Sequence, residues 1–117
     1  MAAEAFAMSN VKYFCGGKIT FVKITSEDKR SFGFEDEDTY DVINTIRRVD
    51  GVKIAIFARE REAGTYKIST RSSCEIDVAA ICSIFGGGGH PGAAGCSVPA
   101  SELDSAVSRI INECGFE

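Results

Sequence analysis

The chain has 117 residues, 44% of them hydrophobic and 26% charged, and a formal net charge of −4. That size and mix suit one globular domain and exclude a disordered tail, and no apolar run approaches the ~20 residues that span a bilayer. Seventeen acidic residues against thirteen basic ones exclude a protein that grips nucleic acid by bulk charge, so any phosphate contact has to be local.

Residues 1–18 read as a lead-in, either a linker or the remnant of an upstream helix, closed by Cys15-Gly16-Gly17. They show neither a leader pattern nor a lipidation motif, and no membrane partner is expected. Residues 19–24, ITFVKI, are β-branched and aromatic and predict a strand. The polar residues 26–37 predict a loop with a short helical turn. Residues 39–49 place Val42, Ile43, Ile46 and Val49 on one helical face, with Thr39 as cap and Asp50-Gly51 as stop. Residues 52–58, apolar on both faces, predict a central strand. Residues 65–71 alternate cleanly: Tyr66, Ile68 and Thr70 on one side, Lys67, Ser69 and Arg71 on the other. The two strands are spaced for an antiparallel hairpin.

Asp77 can cap a helix whose apolar stripe is Val78, Ile81, Cys82 and Phe85, ending at Gly86. Residues 93–98 predict a short strand stopped by Pro99. Ser101 and Asp104 resemble a capping box before the clearest stripe of the chain, Leu103, Ala106, Val107, Ile110, Ile111 and Cys114, with Gly115 as stop. The order of strands and helices predicts an α/β (α+β) fold: a single domain with one mixed sheet covered by helices.

Five scattered cysteines form no C-x-x-C pair, and there is one histidine. A structural zinc site or a catalytic metal pair is therefore not expected, and reduced thiols in a cytoplasmic setting are. The chemistry concentrates in residues 85–95, FGGGGHPGAAG, where six of the twelve glycines fall. Glycines allow positive φ and close approach of a ligand to the main chain, and successive N–H groups can cradle an anion. Ala93 and Ala94 keep the adjoining wall low, and His90 supplies a donor. No Lys-Ser or Lys-Thr follows, so this is not a Walker phosphate loop, and a helix rather than a strand precedes it, unlike a dinucleotide fingerprint. Ser69, Arg71 and Ser72 form a second group, at a strand end where a guanidinium can fork onto phosphate.

These residues resemble a known family. FGGGGHPGAAG is similar to the GGGH-x-x-AAG motif of the DHH-associated domain, the small C-terminal domain of DHH-family phosphoesterases, which include RecJ-like nucleases and the nanoRNase/pAp-phosphatase group. KISTRS, residues 67–72, is similar to the S-x-R-S strand that precedes that motif, and Asp77-Val78-Ala79 to the opening of the helix between them. The resemblance covers about residues 19–114. It implies that His90 and the backbone of Gly87, Gly88 and Gly89 contact substrate phosphate or nucleotide. It also implies that Arg71 and Ser72 hold the substrate near its scissile end.

The resemblance further implies a division into residues 1–18 and a substrate-binding domain at 19–117. The expected ligand is a short single-stranded oligonucleotide or a phosphorylated nucleotide. Catalysis is expected in an N-terminal DHH domain in cis, with Mn²⁺ or Mg²⁺ there and no cofactor in this chain, which carries no D-H-H motif and is expected to be inactive alone. The alternative is a stand-alone nucleic-acid-binding module related to the alanyl-tRNA synthetase tail, which predicts steep salt dependence. A third possibility is an oligomerising domain that pairs through the C-terminal helix.

Overall fold

A computed structural model describes residues 2–62 and 64–116. Met1 and Glu117, the outer bounds of the two expected segments, lie outside the described residues, as does Ala63 in the expected charged connection. The sheet has six strands in the order β1-β2-β3-β4-β6-β5: β1 (Lys12–Phe14), β2 (Ile19–Ile24), β3 (Ile54–Glu60), β4 (Thr65–Ser72), β5 (Gly88–His90) and β6 (Ala93–Pro99). Only β2 and β3 run parallel. The helices are α1 (Ala2–Asn10), α2 (Ser26–Phe32), α3 (Val42–Arg47), α4 (Val78–Ser83) and α5 (Leu103–Cys114). This is the expected single α+β domain with a mixed sheet.

β2, β4 and β6 lie where β-branched residues and alternation placed them, β3 runs Ile54–Glu60 rather than 52–58, and β1 and β5 were not expected as strands. The burial of β4 alternates along its length: Tyr66, Ile68, Thr70 and Ser72 are buried, and Lys67, Ser69 and Arg71 are half-exposed. β3 is buried on both faces over its first five residues and is central, as its uninterrupted apolar run requires. The parallel β2–β3 pair needs a crossover, which α2, a 3₁₀ turn (Asp36–Thr39) and α3 provide.

Two hydrophobic clusters flank the sheet. On one face α4 and α5 cover β3, β4 and β6, with Ile54, Ile56, Ile68, Ala94, Cys96 and Ile110 at the centre. On the other face α1 and α3 cover β2 and β3, with α3 reaching the edge of β4, and bury Ala7, Val22, Ile43, Ile46, Ala55 and Phe57. Neither cluster reaches that face of β4, β6 and β5. The sheet therefore keeps one half-face uncovered.

Several local expectations are corrected. Residues 2–14 are not a detached lead-in: α1 buries Ala3 and Ala7, and β1 is an edge strand on β2. The polar stretch after β2 holds a full seven-residue helix, α2. Thr25 and Asp28 form a capping box there, Thr25 Oγ1 accepting from the Asp28 N–H at 3.0 Å and Asp28 Oδ2 accepting from the Thr25 N–H at 2.9 Å. Because α2 buries no residue, it has no apolar period to read. Thr39 is not the cap of α3: it is buried in the 3₁₀ turn and donates to the Asp36 carbonyl at 2.7 Å. Ser101 does not cap α5 either, since Ala100–Glu102 form a 3₁₀ turn and Glu102 precedes the helix.

Candidate functional site

The glycine segment is a β-hairpin rather than a free loop. α4 ends at Ser83, short of the expected Gly86, and Phe85 packs beyond the helix. Gly86 turns the chain at φ 80°, and Gly88–His90 then run as edge strand β5 against β6. Pro91 and Gly92 make the two-residue connection. Both turn carbonyls are tied down: Gly92 accepts from the Ser72 N–H at 2.9 Å and Pro91 from the Val78 N–H at 3.0 Å. The hairpin tip is thus fixed to the end of β4 and to the first turn of α4. Asp77 holds that turn, its Oδ1 accepting from Ala79 at 2.9 Å and Ala80 at 3.1 Å.

The register brings the expected residues together. Arg71 pairs with Ala93, and Ala93 with His90. Paired residues project from the same face of a sheet. Arg71, Ala93 and His90 therefore form one row across three strands on the uncovered half-face, about 10 Å wide at the backbone. The next row is Ser69, Gly95 and Gly88. With two glycines and one small hydroxyl, that row is a low floor beside Arg71 and His90.

Not every expected residue faces this site. Ser72 lies on the opposite side of β4, is buried, and spends its hydroxyl locally, donating to the Cys74 carbonyl at 3.3 Å and accepting from the Cys74 N–H at 3.4 Å. Ala94 is likewise buried under α4 and accepts, through its carbonyl, from Thr70 Oγ1 at 2.8 Å.

The glycines also divide. A Cβ on Gly87 would lie 2.7 Å from the Cys96 Cβ, and one on Gly89, already at φ 145°, 2.6 Å from the Ala93 carbonyl oxygen. Gly88 has no such constraint: nothing lies within 4 Å of its would-be Cβ and its φ is not positive. Packing explains Gly87 and Gly89, whereas the bare floor at Gly88 has no fold-based cause.

Electrostatics singles out the same face. Arg71 donates only to the Thr70 carbonyl, at 2.9 Å, out of five guanidinium N–H donors. Burial and then the neighbouring Arg47 guanidinium hold its pKa below the usual arginine value. Among the described residues no carboxylate pairs with Arg71, Lys67 or His90. Lys67 was not singled out from the sequence, although the alternation of β4 already set it on the side of Arg71. Arg47 was legible only as a helix-end charge.

By contrast, a cleft of about 550 Å³ between α2 and the 3₁₀ turn is lined by Lys29, Glu35, Asp36 and neighbours. Asp36 there is paired twice, with Lys29 at 2.7 Å and with Arg59 at 3.3 Å. The Lys29 hydrogen bond accordingly holds the Asp36 carboxyl below its usual value. On the hairpin face Arg71 and Lys67 have no carboxylate partner among the described residues. Among the described residues no group of three or more His, Cys, Asp or Glu could hold a metal ion. None of the described helices is long and apolar enough to cross a membrane.

Residues 12–115 match the model of the DHHA1 domain. The chain is 35% identical over 104 residues to the bifunctional oligoribonuclease and PAP phosphatase NrnA of Thermus thermophilus, spanning 89% of this chain and 30% of that protein. Its fold is similar to that of an exopolyphosphatase-related protein from Bacteroides fragilis, with a TM-score of 0.82 at 23% identity over 96% of this chain and 33% of the other. It is also similar to the pGpG-specific phosphodiesterase PggH of Vibrio, with a TM-score of 0.69 at 14% identity over 97% and 38%. The chain thus spans about a third of the length of each of these relatives.

Proposed function

Since the chain belongs to the DHHA1 domain family, we propose that it is the substrate-binding domain of a DHH-family phosphoesterase acting on short oligonucleotides or nucleoside bisphosphates. One observation carries the reading. Arg71 and His90 stand in one row on an uncovered half-face, over a glycine floor, without a carboxylate partner among the described residues. A half-buried guanidinium beside a like charge costs stability, and a phosphate is the ligand that offsets it bidentately. The imidazole of His90 donates from the far end of the row, and edge strand β5 presents main-chain groups that the sheet does not use.

The relative from Thermus is named for oligoribonuclease and PAP phosphatase activity, and that class of substrate suits this face. In this reading the chain contributes binding and orientation, which lower the barrier by holding the phosphoester in place. Bond cleavage, with its Mn²⁺ or Mg²⁺, belongs to a DHH domain in cis. Five free thiols accord with a cytoplasmic setting.

Titration of the chain with adenosine 3′,5′-bisphosphate and a 5′-phosphorylated dinucleotide, followed by amide NMR, tests the proposal. Shifts are expected at Gly88, Gly89, His90, Ala93 and Arg71. Arg71→Gln and His90→Ala are each expected to weaken binding about tenfold, with Arg71→Gln at least as stable as the parent. If Arg71→Gln destabilised the fold and left binding intact, the arginine would be structural and the proposal wrong.

A further inference from the structure

Lys67 lies on the same open face as Arg71, four residues earlier on β4. Its position is set by a glycine. A Cβ on Gly95 would fall 2.9 Å from the Lys67 Nζ and 3.3 Å from its Cε, as well as 2.8 Å from the Ile68 carbonyl oxygen. The lysine stem therefore folds sideways across β6 and holds its ammonium above Gly95, in the Ser69–Gly95–Gly88 row. That row is one step, about 7 Å, from the Arg71–Ala93–His90 row. Successive phosphates of an extended nucleic-acid strand are separated by a comparable distance.

No carboxylate draws the ammonium there among the described residues. Directly across from Lys67 on β3 is Arg59, and like charges facing each other across strands are destabilising. Arg59 is answered by Asp36 at 3.3 Å and by the Tyr40 ring at 5.5 Å, whereas Lys67 has no carboxylate partner among the described residues.

We propose that Lys67, laid across Gly95, forms a second anion subsite, so that this face reads two successive phosphates and favours short oligonucleotides over mononucleotides. The proposal rests on the reading of the Arg71–His90 row as a phosphate site and adds a residue that sets ligand length.

The test measures binding of adenosine 5′-monophosphate and of a 5′-phosphorylated adenosine trinucleotide to the 117-residue chain over a range of salt concentrations. Lys67→Gln is expected to weaken trinucleotide binding about tenfold and to leave monophosphate binding unchanged. Its log K against log [salt] slope for the trinucleotide should be shallower by about 0.7, the share of one phosphate contact on a single strand. Lys67→Arg should restore both, and Arg71→Gln should weaken both ligands. If Lys67→Gln left the trinucleotide affinity and slope unchanged while Arg71→Gln weakened both ligands, the second subsite would be refuted and the first would stand. If Arg71→Gln were silent as well, the phosphate site itself would fall and the second subsite with it.

Discussion

Gly88→Ala separates a glycine kept for the fold from one kept for a ligand. At Gly88 the backbone is compatible with alanine and the space is empty to 4 Å. The substitution removes conformational freedom from the unfolded chain alone, which stabilises by about 0.4–1 kcal/mol. For a domain near this size that is a rise in Tm of roughly 1–5 °C. Gly87→Ala is the control, because its methyl would meet the Cys96 side chain at 2.7 Å. Overpacking of that kind costs about 1–3 kcal/mol. On the ligand side, the methyl at position 88 stands on the floor between His90 and Gly95. A bound phosphate or ribose must then shift or lose contact, at about 1 kcal/mol or more, roughly fivefold in Kd. Thermal melts and a bisphosphate titration on both variants give the two numbers. A Gly88→Ala protein that melts lower than the parent, or that binds as tightly, would refute the assignment of this glycine to ligand approach.

Two further outcomes follow from local geometry. Asp77→Ala strips both cap hydrogen bonds from α4 and should cost about 1 kcal/mol, with Asp77→Asn costing much less. Since the Val78 N–H holds the Pro91 carbonyl, amide exchange at Val78 should accelerate in Asp77→Ala, and an unchanged rate would argue against coupling between cap and hairpin. Burial, helped by Cys15, Cys74 and Glu113, pushes the Cys114 thiol up to about 11 from its ordinary 9.0. A folded-state pKa raised in this way gives stability that is complete below pH 9 and lost as pH rises from about 9 to about 11, because the unfolded chain sheds that proton first. The urea midpoint should fall across that window, and the fall should be smaller in Cys114→Ala even though the whole curve is lower. Equal slopes would show that other groups account for the loss.

Much of the architecture was legible because the signals are local and strong. Strand β2 matched its β-branched run residue for residue, and β4 was set by strict alternation. Asp77 before Val78, and Gly115 after the α5 stripe, marked real helix ends. What failed to show was what lacks a period or borrows partners from afar. α2 has no buried face, and its Thr25–Asp28 capping box was not read from the sequence. The chain before β2 looked like a lead-in because α1 has little apolar contrast between its faces, yet Ala3 and Ala7 pack against α3 and the sheet. The thiols Cys82 and Cys96 were equally unreadable as a pair. α4 packs against β6 and buries both in one cluster, where the neighbouring Cys96 lowers the Cys82 thiol and Cys82, with burial, raises that of Cys96.

For the site, the sequence by itself determined the chemistry: the glycine run, the single histidine and an arginine at a strand end, joined by the resemblance those residues carry. Whether His90 and Arg71 meet was decided by tertiary pairing, since β6 enters between β4 and β5 and its register aligns both with Ala93. The same pairing turned Ser72 and Ala94 to the buried side, laid Lys67 over Gly95, and left that half of the sheet uncovered. The physical reason is the two-residue period of a strand: one step along β4 separates a group on the open face from a group facing the core, and only the partners across the sheet say which face is which.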